Sequence, residues 1–309
     1  MSGITERIDA ITGIDQQRKS ALAPVPKAVK IELTGACDYR CYFCATGAKL
    51  VNRSHMDYGL YLALIHQLRA IGVEELGLFY LGESFLYPQL TDAVRDAKAA
   101  GFPYVFLTTN GRMATPDRVR AAILAGLDSL KFSFNWADAE QMQVVTRVNA
   151  FDRVKEHIRR AREIRDEIEA ATGHRCGIYA SSIKYSGDQQ RRMEKAVSEL
   201  MPYLDEHYYL PLYNPAGLAD GNGNEVIHGN QGRDGKLRDP IPCWALFTEA
   251  RITSEGKLTA CCFDYDGRFE MGDLKTESFL AAWNSKRFVE LRQAHLAGDI
   301  TGTICEGCV

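Results

Sequence analysis

The chain has 309 residues, 46% of them apolar, and its 37 basic and 40 acidic side chains leave a net charge of −3. That length and apolar content can bury a full core with room for a second small domain, and the near-balanced charge offers no electrostatic footprint for nucleic acid. No apolar run approaches the roughly 18 residues of a membrane helix, and the opening MSGITERIDAITGIDQQRK lacks a signal-peptide core, so no membrane partner and a cytoplasmic setting with reduced thiols are expected.

In chain order, strands are expected at 28–34, 75–81, 103–108, 129–135, 176–184 and 207–213, with helices between them. Leu60 to Ile71 and Leu90 to Ala99 read as short amphipathic helices, and Gly101 and Gly126 stand where helices should stop. The clearest helix is Phe151 to Thr172, where Phe151, Val154, Ile158, Ala161, Ile164 and Ile168 form one apolar stripe under a charged, solvated face. Six such β/α units imply an α/β fold, a partial (β/α)6 TIM-like barrel open on one side, spanning 27–215 after an N-terminal arm, 1–26. A glycine-rich linker follows at 216–240. In the last part, 241–309, Arg251 to Thr253 and Lys257 to Ala260 flank Glu255-Gly256 as a hairpin, and Phe279 to Leu296 reads as a helix, giving a small α+β domain.

Nine cysteines fall in two groups and one singleton. Cys37, Cys41 and Cys44 stand as C-x3-C-x2-C directly after the first strand. Three thiolates from one loop suit a cubane iron–sulfur cluster whose fourth iron stays open, at the strand end where β/α barrels carry reactive groups. The structural alternative is a zinc knuckle that borrows His55. Cys243, Cys261, Cys262, Cys305 and Cys308 supply four ligands with one to spare, and on spacing alone they suit zinc as well as a cluster. Cys176, opening a strand, reads as a small buried hydrophobe.

The run Gly35 to Cys44 resembles the signature loop of the radical S-adenosylmethionine (SAM) enzymes, with aromatic Phe43 before the last cysteine as in that family. Leu81-Gly82-Glu83-Ser84 is similar to the family's glycine-glycine-glutamate-proline motif, departing at Leu81 and Ser84. Thr108-Thr109-Asn110-Gly111 matches its T-N-G turn, and Ser133 and Asn135 end the next strand, where polar groups often lie near SAM. The resemblance implies a [4Fe–4S] cluster held by Cys37, Cys41, Cys44 and SAM. It places Phe43, Gly82, Glu83, Thr109, Asn110, Ser133 and Asn135 at the SAM site.

The C-terminal layout resembles the shortened SPASM, or twitch, domain that holds one auxiliary [4Fe–4S] cluster. By that resemblance Cys243, Cys261, Cys305 and Cys308 are its ligands, with Cys262 the alternative at the second position. The family chemistry is reductive cleavage of SAM to a 5′-deoxyadenosyl radical, fed by an external one-electron reductant of flavodoxin or ferredoxin type, and hydrogen abstraction from a substrate. A fully cysteine-ligated second cluster would accept an electron and favour dehydrogenation, whereas a spare Cys262 thiol could return a hydrogen atom and make an epimerase. Asp264 and Glu249, beside the auxiliary ligands, are candidates for binding hydroxyls or taking a proton. Tyr208, Tyr209, Tyr213 and Asn214 could line the pocket. Few residues precede the first strand, so a polar small metabolite (sugar, cyclitol or nucleoside) is expected before a ribosomal peptide. A non-catalytic zinc-stabilised binding protein is the reading from another class.

Overall fold

The computed structural model describes residues 3–44, 54–213 and 223–308. Six strands, β1 (Ala28–Ile31), β2 (Glu75–Gly77), β3 (Tyr104–Thr109), β4 (Ser129–Ser133), β5 (Gly177–Ile183) and β6 (Glu206–Leu210), lie side by side in sequence order and parallel. Helices cross between them, as parallel neighbours require. The result is the expected partial (β/α)6 barrel; β3 ends at Thr109, one residue past the expected 108, and the other five strands end earlier than expected because the residues beyond turn into the site loops.

The crossing helices include α2 (Tyr58–Ala70), α3 (Leu90–Ala99), α4 (Pro116–Leu124), α5 (Ala139–Thr146), α6 (Phe151–Thr172) and α7 (Gly187–Leu200). Helix α6 has the boundaries its stripe implies: Val154, Ile158, Ala161, Ile164 and Ile168 are buried, and Gly173 ends it at a left-handed φ of 76°. Its fully buried Arg165 forks onto Asp205 at 2.8 and 3.2 Å, and Asp205 also accepts the Ile178 N–H, which ties the helix to β5.

The N-terminal arm carries a helix of its own, α1 (Ile4–Thr12), laid across the barrel's lower mouth. Arg7 pairs with Glu75 at 2.7 Å and lies 3.4 Å from the Tyr104 ring centroid, while Asp9 binds Arg233.

The C-terminal part joins the same sheet. Strand β7 (Glu249–Ile252) runs parallel to β1, pairing Ala28 with Glu249 and Ile31 with Ile252. Strands β8 (Lys257–Thr259) and β9 (Glu270–Asp273) extend it antiparallel to a nine-stranded sheet. The hairpin is as expected and β9 is additional. The single helix expected over Phe279 to Leu296 is two, α8 (Phe279–Trp283) and α9 (Lys286–Ala297), because Ser285 leaves the helix and caps the second with its hydroxyl. Trp283 then stacks on Phe279 and donates to the Pro24 carbonyl.

Glu32, just past β1, closes this junction. Its N–H reaches the Ile252 carbonyl, one carboxylate oxygen accepts Leu81 N–H at 3.1 Å, and the other accepts Ser254 N–H at 3.0 Å. One buried side chain thus holds the loop after β2 and the loop after β7 together. Glu32→Gln puts an NH2 group against one of these N–H donors, and a stranded buried donor costs about 1–3 kcal/mol. Thermal unfolding should show a Tm lower by several degrees, and an unchanged Tm would mean the bridge is dispensable.

Candidate active site and cluster thiols

The first thiol loop is anchored at both ends. Thr34 Oγ1 accepts Ala36 N–H at 3.0 Å, and Arg40 and Tyr42 N–H groups donate to the carbonyls of Thr146 and Val145 at the end of α5. Arg40 also reaches back to the Cys37 carbonyl at 2.9 Å, and Cys44 N–H closes a turn onto Cys41. Burial pushes the Cys37 thiol up to about 12, with Glu83, Asp38 and Cys44 adding to it, and Cys41 is raised by burial and then by Cys44 and Cys37. His55 is engaged elsewhere, its Nδ1 2.8 Å from the Thr34 hydroxyl and its ring edge-on to Tyr87.

Beside this loop the glycine of Leu81-Gly82-Glu83-Ser84 is required by space. A Cβ on Gly82 would stand 1.8 Å from the Thr34 carbonyl oxygen. Glu83 N–H donates to the Ala36 carbonyl, so the two loops are stitched together. The Glu83 carboxylate is buried and points into the protein, accepting Thr109 O–H at 2.8 Å, Asn110 N–H at 2.7 Å and Phe85 N–H at 3.1 Å. It therefore shapes the T-N-G turn with its side chain. Asn110 Nδ2 donates to Asp38 at 2.7 Å and lies 3.8 Å from the Cys37 sulfur, and Arg112 backs Asp38 at 3.4 Å. Gly111 completes the turn at a φ of 85°. Phe43 lends its carbonyl to the Tyr265 hydroxyl at 3.3 Å, and the Asn135 carbonyl accepts from Tyr185. Ser133 ends β4 half-buried on the interior face.

The second thiol group lines a small space together with Leu246, Phe269 and His295. Cys243, Cys261, Cys262, Cys305 and Cys308 all reach it. Burial raises the thiols of Cys243 and Cys305, the latter to about 12, with neighbouring cysteines adding to both. Cys243 N–H donates to His295 Nδ1, and burial holds that imidazole neutral, its pKa down at about 4. Cys261 and Cys262 part company. The Cys261 sulfur accepts Phe263 N–H at 3.2 Å, and Cys261 lines this space and not the larger cavity inside the barrel. The Cys262 sulfur accepts from Asn230 Nδ2 at 3.1 Å and lies in the wall shared with a larger cavity of about 290 Å3 inside the barrel. Tyr80 holds the loop between them, donating to the Cys261 carbonyl at 2.8 Å and accepting Asp264 N–H at 3.2 Å.

Among the described residues no three His, Cys, Asp or Glu side chains are close enough together to hold a single metal ion. The donor chemistry fits a larger, multi-iron group in both places: soft thiols gathered in buried surroundings where like charges oppose their ionisation, a cost that metal charge removes.

Of the two carboxylates expected at the site, Glu249 lines the barrel cavity and Asp264 does not. Glu249 pairs in register with Ala28 at the lower end of the sheet, bound to Lys30 at 2.9 Å and to Arg251. Burial would raise its pKa, but the two cations more than offset that and lower it, which makes it a poor proton acceptor. Asp264 lies outside the cavity lining, buried, with one oxygen on the Thr259 hydroxyl. Tyr208 and Tyr213 line the cavity, Tyr209 packs on His207 instead, and Asn214 lies outside the described residues. Cys176 is a core residue. The residues missed are Lys30, Tyr80, Lys131, Arg251 and Tyr265. A single lysine within each of the otherwise largely apolar runs AVKI and SLKFS was the readable signal for two of them, since strands of a parallel sheet are ordinarily apolar throughout.

The model of the radical SAM superfamily matches residues 31–172, and that of an iron–sulfur cluster-binding domain matches 243–309. The chain belongs to the radical SAM superfamily, in its SPASM/twitch subgroup. It is similar to a probable GTP 3′,8-cyclase of Saccharolobus solfataricus, 31% identical over 279 residues covering 80% of this chain and 86% of the relative. A GTP 3′,8-cyclase of Chlorobaculum tepidum is 32% identical over 133 residues, 43% of this chain and 40% of that one. Among solved structures, BtrN in complex with AdoMet and 2-DOIA has a TM-score of 0.58 at 16% identity, covering 89% of each chain. Streptococcus suis SuiB bound to precursor peptide SuiA has a TM-score of 0.64 at 15% identity, over 86% of this chain and 66% of that one. These two likenesses bear on the fold. Membership implies a SAM-binding [4Fe–4S] cluster and an auxiliary iron–sulfur cluster, which replaces the zinc-stabilised reading of both thiol groups.

Two outcomes follow from the geometry. Gly82→Ala forces the two loops apart and should abolish SAM binding measured by equilibrium dialysis; retained binding would show that the loops are not closed on each other. Glu83 has its carboxyl pushed up to about 7, first by burial against its three hydrogen bonds, with Asp38 adding. A carboxyl raised in the fold contributes stability below its unfolded value of about 4.5 and loses it as pH rises through about 7. Urea unfolding of the metal-free protein should therefore weaken across that window more steeply than in Glu83→Gln, and equal slopes would remove Glu83 as the cause.

Proposed function

We propose that the chain cleaves SAM reductively and uses the radical to take a hydrogen atom from a polar small molecule held in the barrel cavity, ending in dehydrogenation or epimerisation. The observation that carries this is the shared wall: Cys262 and Phe263 line the barrel cavity, and both also line the space of the second thiol group. A molecule in the cavity lies against the auxiliary site.

In this reading Cys37, Cys41 and Cys44 hold the SAM cluster, and Cys243, Cys261, Cys305 and Cys308 hold the auxiliary one. When bound, the first cluster and SAM supply a 5′-deoxyadenosyl radical after one electron arrives from an external reductant. The protein's own groups do the rest. Gly82, Glu83, Thr109 and Asn110 shape the loops that orient SAM, and burial of the site limits quenching of the radical by water. If the substrate radical then loses one electron to the auxiliary site and one proton, the product is a carbonyl. If the Cys262 S–H returns a hydrogen atom instead, the carbon is inverted, and the sulfur must regain one electron and one proton before the next turnover.

The relatives named GTP 3′,8-cyclase keep a purine nucleotide among the substrates to test, and SuiB, bound to a precursor peptide, keeps a peptide. The closure of the lower mouth by α1 and the cavity's modest volume favour a small molecule. Anaerobic reconstitution should give about eight irons per chain, as expected for two cubane clusters, and 5′-deoxyadenosine on reduction. Cys261→Ala should lose the auxiliary cluster and leave about four irons, while Cys262→Ala keeps both. The reverse result exchanges their roles, and no SAM cleavage by the fully loaded protein would contradict the proposal.

A further inference from the structure

The barrel cavity carries an imbalance of charge that neither the cluster sites nor SAM accounts for. Arg7, Lys30, Lys131 and Arg251 line it against two carboxylates, Glu75 and Glu249. Arg7 is matched by Glu75 at 2.7 Å. Lys30 and Arg251 share the single carboxylate of Glu249. Lys131 has no carboxylate partner among the described residues; its ammonium lies 3.3 Å from the Tyr208 hydroxyl and 5.7 Å from the Tyr208 ring centroid. With every cation charged the lining carries two net positive charges. Burial presses Lys30 toward its neutral form, and even then the lining stays positive.

Hydrogen-bond donors show the same shortage independently. Arg251 is fully buried, yet among the described residues its Nε–H has no acceptor, and the Nε–H of Arg7 and the indole N–H of Trp244, both on the same lining, also have none there. Buried donors ordinarily find partners, and leaving one unmatched costs about 1–3 kcal/mol. A cavity with surplus positive charge and unmatched N–H groups lacks a group that is negative and accepts several hydrogen bonds.

We infer that this cavity binds a substrate carrying one phosphate or carboxylate group, with Lys131 and Arg251 as its anion-binding residues. The inference rests on the reading of the cavity as the substrate site. Phosphate and carboxylate both supply what is missing, acceptor oxygens on an anion. One such group matches a surplus of one or two charges, whereas a triphosphate would bring excess negative charge against Glu75 and Glu249. The apolar and aromatic wall, including Phe79, Phe106 and Phe263, would take the remainder of the molecule.

The test uses the reconstituted holoprotein whose SAM cleavage has already been measured, so a failure of the functional reading is seen separately. Equilibrium dialysis with labelled orthophosphate and, in parallel, labelled acetate separates the two anion chemistries, and GTP is titrated as the polyanion. Saturable binding of at least one of the two simple anions is expected, weakened at least tenfold in Lys131→Met and restored within threefold in Lys131→Arg, with thermal unfolding confirming that both variants fold. No saturable binding of either anion by the wild type overturns the inference, as does any other pattern across the two variants. GTP binding more than tenfold tighter than orthophosphate, and lost with it in Lys131→Met, overturns the assignment to a singly anionic group.

Discussion

The structure depends on the parallel pairing of β1 with β7. Through it a single sheet runs from β6 to β9, so the barrel and the C-terminal thiol group share one backbone framework. The pairing sets a register, and Glu32 fixes its upper end by gripping Leu81 on one side and Ser254 on the other. Leu81 begins the loop that Gly82 and Glu83 press against the first thiols, and Ser254 begins the turn that leads through β8 to Cys261. The geometry of both cysteine sites is inherited from one backbone junction.

Electrostatics then divides the interior. Around each thiol group the surroundings oppose ionisation, through burial and through neighbouring sulfurs, and such sites are completed by metal charge. In the barrel below, the excess runs the other way, with cations outnumbering carboxylates. Cys262 stands where the two regions meet. Its thiol is lowered by its hydrogen bond to Cys261 and by the Arg251 and Lys30 charges, against its burial, while the Cys261 thiol is raised. Adjacent cysteines in one sequence thus acquire different surroundings because the chain turns at that point from the auxiliary space into the barrel.

What could be read in the sequence was local. The C-x3-C-x2-C spacing needs only one loop to bring its sulfurs together, the stripe of α6 needs only one helix, and the six strands announce themselves by apolar runs. What could not be read was set by partners distant in sequence. Glu249 lies near Cys243 along the chain, but its register against Ala28 carries it to the lower end of the sheet and into an ion pair with Lys30. The arm before β1 gives no sign that it closes a barrel until Arg7 meets Glu75 and Tyr104. The break between α8 and α9 was visible as Asn284-Ser285, but the apolar periodicity across it masked the cap. Lys131 stood in plain view inside a buried strand, and only the cavity gave it meaning.

Native-state hydrogen exchange of the reconstituted protein tests the central claim, that one sheet unites both sites, most directly. Along a denaturant series the amides at the β1–β7 junction, including Ala28, Glu32 and Ser254, should exchange through one common opening together with the core of the barrel. If the amides of β7 and β8 open at lower denaturant while those of β1 and β2 remain protected, the two parts are separate bodies and the account fails.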